Sequence, residues 1–391
     1  MQGEFIRWKD RDALMLNNGS IRVVVLAGGG HLAELRIMGA GTPSPNLLWE
    51  APWVTADPGS HELRQLGELY GGAPTGPFLA GYTGHTLCLD TFGLPSQDDA
   101  ARGIPLHGEA PARMWDLVPT ADGCTMHVKL PVSHLAFSRT LTTGKGQSFL
   151  FVEEQVENTG VADREVHWVQ HVSLGPPLFG AGNSFIEASV DRCRTWPLGY
   201  EGKQLLSDNV DFAWPSAPTI SGETMDLRIP FQHERSGFLV AARVELTSTV
   251  AYVAALNLLT GFALVYCFRR EDFPWVAIWE ENCARISPPW NGSTQVRGME
   301  FGTSPMPLGR EAIHKMGALF DTPVSCLLSA GEKRHARYAI CAVAIPAHLR
   351  AVDAIGISER GITLTANGMT ESVVIAAEGV WQFLTRGHNN V

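Results

Sequence analysis

Two histidines stand where an apolar stretch of the sequence gives way to glycine or proline. His107 follows Pro-Leu in RGIPLHGE (102–109) and precedes Gly108, a residue type that lets backbone or ligand approach closely. His171 lies near the end of EVHWVQHVSLGPP (165–177), just before a Gly-Pro-Pro break, and sites often form where a strand ends. Taken alone, either histidine is also consistent with a hydrogen-bonded residue of the core.

A carboxylate occupies a similar position late in the chain. Glu300 lies in VRGMEFGTSP (296–305), an apolar run bounded by Gly298 and Gly302 and followed at once by turn residues. Burying a carboxylate is costly unless it is hydrogen-bonded or takes part in chemistry. Glu300 is therefore either a residue that binds backbone amides at a turn or a candidate acid–base group.

Together, the carboxylate and an imidazole suggest one kind of chemistry. A free glutamate has a pKa of about 4.3 and a free histidine about 6.5, so such a pair can exchange protons near neutrality. A sugar hemiacetal opens when one group removes the proton of the anomeric hydroxyl and another protonates the ring oxygen. The hypothesis requires the side chains of Glu300 and His171 to converge on opposite sides of an open groove.

A metal site is the alternative interpretation of the same histidines. On a strand, His167 and His171 share one face, and imidazoles on one face can chelate a metal. With His107 they would form the centre of a metal-dependent β-sandwich or cupin-like enzyme. The sequence offers no further evident ligand, and we predict that the protein binds no metal.

Several common catalytic signatures are missing from the sequence. AGGGH (27–31) has glycines after an apolar stretch, but the following HLAELRIMG alternates like a strand instead of opening a helix, which indicates a β-turn rather than a dinucleotide site. Neither a GxSxG elbow nor an HExxH motif occurs. These absences direct attention to the polar residues within apolar strands.

Charge and composition narrow the class of protein. The 391 residues include 30 Lys and Arg against 40 Asp and Glu, a net charge of -10, with 45% hydrophobic residues. This balance argues against a disordered chain and against nucleic acid as a partner. Seven cysteines without C-x-x-C spacing, and a charged first segment without an apolar signal region, predict free thiols and a cytoplasmic location.

The elements that must position these residues are mostly strands. Short apolar or alternating stretches recur along the chain, while helical periodicity is scarce. The predicted strands are 21–28, 124–132, 149–158, 165–174, 237–246, 337–346, 361–366 and 372–384. One short helix is predicted over 309–320, and no linker or charge run divides the chain. We therefore predict an all-β protein, a large antiparallel β-sandwich formed by residues 1–391 as a single domain.

One uncharged stretch, 246–268, is long enough to cross a bilayer. Polar residues and a glycine interrupt it, and its two flanks, TVAYVAAL and FALVYCF, are β-branched and aromatic and have the length of strands. We expect two buried strands joined by NLLTG, and no membrane partner.

In order, PLHGE (105–109), VENTG (156–160), HWVQHVSLG (167–175) and RGMEFGTSP (297–305) resemble the motifs of the aldose 1-epimerase (galactose mutarotase-like) superfamily. The resemblance implies a large antiparallel β-supersandwich and a mutarotase or epimerase that acts on a carbohydrate without a cofactor. Glu300 would be the general base, His171 the general acid, and His107 would bind the sugar and support developing charge.

Other positions are weaker candidates for binding the substrate. The family's sugar-clamping aspartate has no clear counterpart, although His233 in QHER is a candidate, and the family's arginine has two possible counterparts, Arg102 and Arg113. LHGG is LHGE here. Trp279, just before the turn ENCARISPPW, is the candidate platform for a sugar ring, ahead of Trp290.

Three functions therefore stay open at this point. They are a carbohydrate mutarotase or epimerase, a non-catalytic sugar-binding protein on the same scaffold, and the metal-dependent enzyme. We expect a small carbohydrate as partner and a monomer or homodimer. The sequence does not identify the sugar.

Overall fold

The computed structural model describes residues 2–39, 43–182, 184–201, 203–346, 349, 352, 354–365, 373–375, 377 and 379–387. In the first half of the chain the strands are β1 (Gln2–Trp8), β2 (Arg11–Asn17), β3 (Ile21–Leu26), β4 (Leu32–Ile37), β5 (His85–Asp90), β6 (Asp116–Pro119), β7 (Gly123–Leu130), β8 (Leu135–Thr142), β9 (Phe149–Asn158), β10 (Arg164–Leu174), β11 (Ser184–Ala188) and β12 (Val190–Thr195).

The second half adds β13 (Asp211–Ala213), β14 (Ser216–Pro218), β15 (Thr224–Asp226), β16 (Ser236–Val244), β17 (Val250–Asn257), β18 (Phe262–Arg269), β19 (Trp275–Asn282), β20 (Gln295–Gly302), β21 (Ala318–Leu319), β22 (Thr322–Pro323), β23 (Cys326–Leu328), β24 (Lys333–Ala344), β25 (Ala354–Ser358), β26 (Gly361–Thr365) and β27 (Val373–Ile375). The helices are α1 (His61–Leu69), α2 (Gly76–Leu79), α3 (Gln97–Ala101), α4 (Arg310–Met316) and α5 (Val380–Thr385).

Most described strands belong to two antiparallel sheets. The large sheet has 12 strands, in the order β1-β2-β3-β4-β5-β10-β20-β19-β16-β12-β13, with β23 also pairing with β10. The second sheet has eight strands, in the order β11-β17-β18-β24-β9-β8-β7-β6. The predicted all-β antiparallel sandwich is confirmed, whereas the single domain over 1–391 stays a prediction.

The main core lies between these two sheets. It combines side chains from the large sheet, such as Trp168 and Phe301, with side chains from the second sheet, such as Phe268 and Tyr338. Phe268 and Phe301 stack across the sheets with ring centroids 4.4 Å apart. On β8 the buried and part-exposed residues alternate along the strand, which is the period that a sandwich strand requires.

A third layer covers the outer face of the large sheet. It is formed mainly by aromatic and aliphatic residues from the segments before β5 and after β19, including Trp49, Phe78, Tyr82 and Trp290. Because both faces of the sheet are covered at its centre, all eight residues of β19 are buried. This extra layer creates the space in which a deep site can form.

The uncharged stretch 246–268 forms an antiparallel hairpin. Strands β17 and β18 pair from Val250↔Arg269 to Asn257↔Phe262, as expected from the two β-branched flanks. In the part of the chain that the structure describes, no helix is long and apolar enough to cross a membrane.

Near the C-terminus the strand pattern of the sequence and the observed structure differ. The predicted strand over 372–384 is wrong for most of its length, because only Val373–Ile375 is a strand and Val380–Thr385 is the helix α5; residues 372, 376 and 378 lie outside the described residues, as does 366 of the predicted strand 361–366. In α5, Phe383 stacks on Phe151 of β9 at 4.4 Å. This contact covers the outer face of the second sheet. Tertiary packing therefore makes this part of the apolar run a helix, whereas its pattern also suits a strand. The helix predicted over 309–320 is confirmed but is shorter, Arg310–Met316.

Candidate active site

A cavity of about 500 Å³ opens on the outer face of the large sheet. Side chains alternate along β10, so Gln170 faces the second sheet, where it donates to Glu154, and His171 faces the cavity. His107, His171 and Glu300 all line this cavity. Its volume falls in the range typical of small-molecule sites.

Adjacent strands bring Glu300 and His171 together. In the pairing of β10 with β20, Gln170 lies opposite Phe301 and Ser173 opposite Gly298, which places the two candidate side chains on one face. His171 Nε2 lies 3.3 Å from Glu300 Oε1. The groups therefore converge, but side by side on one wall rather than across a groove.

Gly298 provides the space for this carboxyl group. A Cβ atom added at Gly298 would lie only 2.4 Å from Glu300 Oε1. At Gly302 an added Cβ would lie 2.5 Å from the carbonyl oxygen of Trp168 on β10. The two glycines that bound Glu300 in the sequence thus permit close packing of strands and side chain, which gives them a physical role.

Burial sets the protonation of this pair. Glu300 and His171 are only 2% and 5% exposed. Burial raises the pKa of Glu300 well above its usual range and lowers the pKa of His171 to about 4, because a desolvated site disfavours the charged form of either group. Burial therefore disfavours an ion pair of carboxylate and imidazolium and favours a carboxylic acid beside a neutral imidazole.

The loop before the 3₁₀ turn Ala110–Ala112 positions His107. The backbone φ angle of His107 is +64°. A Cβ atom at the following Gly108 would lie 2.0 Å from the carbonyl oxygen of Leu89 on β5. The Gly93 amide donates to His107 Nδ1 at 3.2 Å, so the single proton of the neutral ring is on Nε2. Burial, with the nearby charges of His171 and Arg285, lowers the pKa of His107 well below its ordinary value.

Aromatic rings form much of the remaining wall. They are contributed by Tyr70, Phe78, Tyr82, Trp196, Tyr200, Trp279 and Trp290. Several of their polar atoms are bound within the protein: Trp279 Nε1 donates to the Tyr200 hydroxyl at 2.8 Å, and that hydroxyl donates to Glu281 at 2.8 Å. The cavity surface is therefore formed mainly by aromatic ring faces, with the polar groups of His107, His171 and Glu300 beside them.

Arg285 is a cavity residue that sequence reasoning missed. Its guanidinium lies 5.1 Å, 5.6 Å and 5.0 Å from the ring centroids of Tyr200, Trp279 and Trp290, within the range of cation–π contacts. Its Nε donates to Glu201 at 3.0 Å. Arg285 belongs to ENCARISPPW, a segment whose pattern predicts only a turn. Its position after an apolar strand was the available signal.

Three residues proposed to bind substrate do not line the cavity. Arg102 is half exposed and forms an ion pair with Asp99, and Arg113 forms one with Glu109. His233 is exposed. Their assignment to the site came from sequence order alone, and the structure places them elsewhere.

Only two of the three histidines of the metal hypothesis, His107 and His171, line the cavity. His167 lies four residues before His171 on β10 and does not line the cavity, and its Nδ1 accepts the amide proton of Phe92 at 3.0 Å. Within the described ranges, no three His, Cys, Asp or Glu side chains are grouped closely enough to hold a metal ion. The three histidines of that hypothesis therefore do not form a common centre.

Comparison with known proteins supports the architecture. No protein-family model and no curated sequence matches the chain. Among solved structures, a proposed aldose 1-epimerase from Klebsiella pneumoniae subsp. pneumoniae is similar over 87% of this chain and 81% of its own, with 12% identity and a TM-score of 0.60. A proposed mutarotase from Salmonella typhimurium matches over 88% and 94%, with 11% identity and a TM-score of 0.55.

A galactose mutarotase-like protein from Clostridium acetobutylicum is similar over 88% of this chain and 98% of its own, with 13% identity and a TM-score of 0.55. Identities this low compare folds rather than activities. The motif order found in the sequence and the two-sheet architecture agree with this likeness. The chain therefore has the galactose mutarotase-like fold, as a divergent example of it.

Proposed function

We propose that the protein is a carbohydrate mutarotase, an aldose 1-epimerase-like isomerase, in which Glu300 and His171 form the acid–base pair. The observation that carries this proposal is the 3.3 Å contact between a buried carboxyl and a buried imidazole in the wall of a cavity. Perturbed titratable groups that share a cavity are characteristic of functional sites. The reaction needs no metal or organic cofactor.

The protonation of the free protein suggests how the ring opens. Glu300 donates its proton to the ring oxygen O5, and the C1–O5 bond breaks with its electron pair moving to O5. At the same time His171 Nε2 takes the proton of the C1 hydroxyl, and a C1=O double bond forms. Rotation about C1–C2 and closure on the other face give the opposite anomer and return both protons.

These roles reverse those implied by the family resemblance. Glu300 as base and His171 as acid would require a carboxylate beside an imidazolium, which burial disfavours at both groups. The two arrangements contain the same number of protons. They differ only in whether one proton lies on Glu300 or on His171, whose Nε2 is 3.3 Å from Glu300 Oε1. The reversed assignment starts from the arrangement that burial favours.

His107 and the ring faces supply the remaining functions. The Nε2–H of His107 is free to donate to a sugar oxygen, since its Nδ1 is held by Gly93. The ring centroid of His107 lies 5.2 Å from that of His171, so both can contact one sugar. Trp279, with Trp290 behind it, provides apolar surface for the C–H face of a pyranose.

Anomeric exchange measured by NMR, or by optical rotation from fresh α-anomers of several aldoses, tests this proposal. The wild-type protein should accelerate exchange of at least one aldose, and Glu300→Gln and His171→Asn should each lower kcat by about 10²- to 10⁴-fold, as expected for loss of an acid or base. Exposed residues supply matched controls, His233→Asn and Glu311→Gln, which should retain the rate.

The alternative is a sugar-binding protein that has lost turnover. Binding of an aldose without acceleration across the panel would refute the mutarotase and favour that alternative. The cytoplasmic location and the monomeric or homodimeric state stay predictions.

A further inference from the structure

A chain of hydroxyl groups continues from the acid–base pair into the protein. Ser173 lies two residues after His171 on the same face of β10, and its Oγ is 3.3 Å from His171 Nδ1. On its other side, Ser173 Oγ forms a hydrogen bond with the hydroxyl of Tyr82. Ser173 is fully buried and Tyr82 is 1% exposed, so solvent does not compete for these bonds.

The backbone around Ser173 is held firmly. Its amide donates to Gly84 O at 3.1 Å, and its carbonyl accepts from the Trp49 amide at 2.8 Å. The Tyr82 ring stacks on Phe78 at 4.9 Å and meets the edge of the His171 ring at 5.5 Å. The hydroxyl group therefore stays at Nδ1 without depending on a mobile loop.

The partner of Nδ1 distinguishes His171 from its neighbours. His107 and His167 each receive a backbone N–H at Nδ1, which leaves the ring proton on Nε2 with no alternative. A hydroxyl group can either accept or donate. A hydroxyl at Nδ1 thus allows His171 to carry its proton on Nδ1 and keep Nε2 as a base.

We propose that Ser173, supported by Tyr82, is a positioning residue that accepts the Nδ1–H of His171 and thereby directs the Nε2 lone pair toward Glu300 and the substrate. In this arrangement Glu300 donates to His171, His171 to Ser173, and Ser173 to Tyr82. When Nε2 takes the proton of the C1 hydroxyl, Nδ1–H still donates to the Ser173 hydroxyl oxygen. The imidazolium is therefore stabilised without rearrangement of the side chains. The kinetic consequence rests on the proposed mutarotase function, whereas the tautomer does not.

The first test reads the tautomer directly and needs no sugar. Long-range ¹H–¹⁵N correlation spectra of histidine-labelled protein at neutral pH separate the Nδ1–H and Nε2–H forms, and the His171 signals are those lost in His171→Asn. We expect Nδ1–H for His171 and Nε2–H for His107. In Ser173→Ala the His171 signals should shift toward the Nε2–H form. A wild-type His171 in the Nε2–H form would overturn the proposal.

The second test is kinetic, on an aldose that the wild-type protein accelerates. Ser173→Ala should lower kcat about 10- to 100-fold with KM nearly unchanged, as expected when a bond to a charged group is lost. Tyr82→Phe, which keeps the ring, should give a smaller loss in the same direction. Ser304→Ala removes another buried serine hydroxyl outside the cavity and should retain the wild-type kcat.

The outcomes separate the two proposals. An unchanged tautomer and unchanged kcat in both Ser173→Ala and Tyr82→Phe would refute the positioning role while leaving the mutarotase intact. An Nδ1–H tautomer that depends on Ser173, in a protein that accelerates no aldose, would support the positioning role and refute the mutarotase.

Discussion

The two faces of β10 bury polar groups in contrasting ways. On the face turned to the second sheet, Gln170 belongs to a network around Glu154, whose carboxylate accepts from Arg139 at 2.7 Å, Gln170 at 2.7 Å, Trp168 at 3.0 Å and Tyr338 at 2.9 Å. On the cavity face, the carboxyl of Glu300 has the His171 contact and space for a ligand.

This difference separates the carboxylate of Glu154, held by protein donors, from the carboxyl of Glu300, which we propose as an acid–base group. Both glutamates are almost fully buried, at 1% and 2% exposure, so burial does not distinguish them. The two carboxyl groups differ in their hydrogen-bond partners: four donors bind the Glu154 oxygens, whereas desolvation raises the pKa of Glu300. A buried carboxyl without compensation is costly, and the cavity beside Glu300 is consistent with the acid–base role that we propose for it.

The largest expected effect comes from exchanging the two carboxyl groups for amides. Glu154→Gln leaves the fully buried Arg139 without its counter-ion and should lower the free energy of unfolding by about 3–5 kcal/mol. Glu300→Gln should not lower it, because it removes a carboxyl whose raised pKa already costs stability at neutral pH. Urea denaturation at pH 7 measures both, and similar losses in the two variants would break the comparison.

The pH dependence of stability tests the same comparison at the two buried histidines of β10, His167 and His171. Burial lowers the pKa of both His167 and His171 to about 4, so only the unfolded chain gains these protons between about pH 6.5 and 4. Stability should therefore fall as the pH drops through this window, by up to about 3 kcal/mol for each histidine. Denaturation curves at pH 4.5 and 7 should differ less for His171→Asn than for the wild type.

The contribution of Glu300 to the pH dependence of folding stability should have the opposite sign to that of the histidines. Its folded-state pKa is raised, so stability is lost as the pH rises above the ordinary carboxyl range, and Glu300→Gln should remove that loss. Equal pH dependence in Glu300→Gln and the wild type would contradict this assignment.

A smaller effect is expected from the aromatic wall. Trp279→Phe removes the indole N–H that binds Tyr200 and part of the ring face, and should weaken binding of a sugar substrate by about 1 kcal/mol, or fivefold. Calorimetric titration measures this change. Trp8→Phe, on the distant β1, is the matched control, and an equal effect there would argue against the wall as a binding surface.

The smallest effects are expected at the positions that the structure removes from the site. Arg102→Ala and His233→Ala alter side chains outside the cavity, so kcat/KM should change less than about twofold. A tenfold loss in either variant would show that the cavity described here does not contain the whole site.

The sequence predicted much of the architecture because strand patterns are local. Alternation over 149–158 matches β9 residue for residue, and the uncharged stretch after Leu246 is the hairpin of β17 and β18. The segment 372–384 shows the limit, since an apolar run of this length suits a strand or a buried helix and contacts with β9 decide between them.

The residues of the candidate site also fall into two groups, those that the sequence alone proposes and those that only the structure brings to notice. Sequence alone proposed Glu300, His171 and His107, which line one cavity, since a polar group within an apolar run and beside glycine is unusual and visible without coordinates. It did not single out Arg285 or Ser173, because an arginine just after an apolar strand and a serine within a strand are ordinary until their neighbours are known.

By itself, then, the sequence determined the strand-rich fold and the residue types available for acid–base chemistry. Only the tertiary structure decided which of them meet, that a backbone amide occupies Nδ1 of His107, and that burial favours the neutral forms of Glu300 and His171. The reason is physical: hydrophobic periodicity is encoded over a few neighbouring residues, whereas desolvation and hydrogen-bond direction depend on atoms that folding brings together from distant parts of the chain.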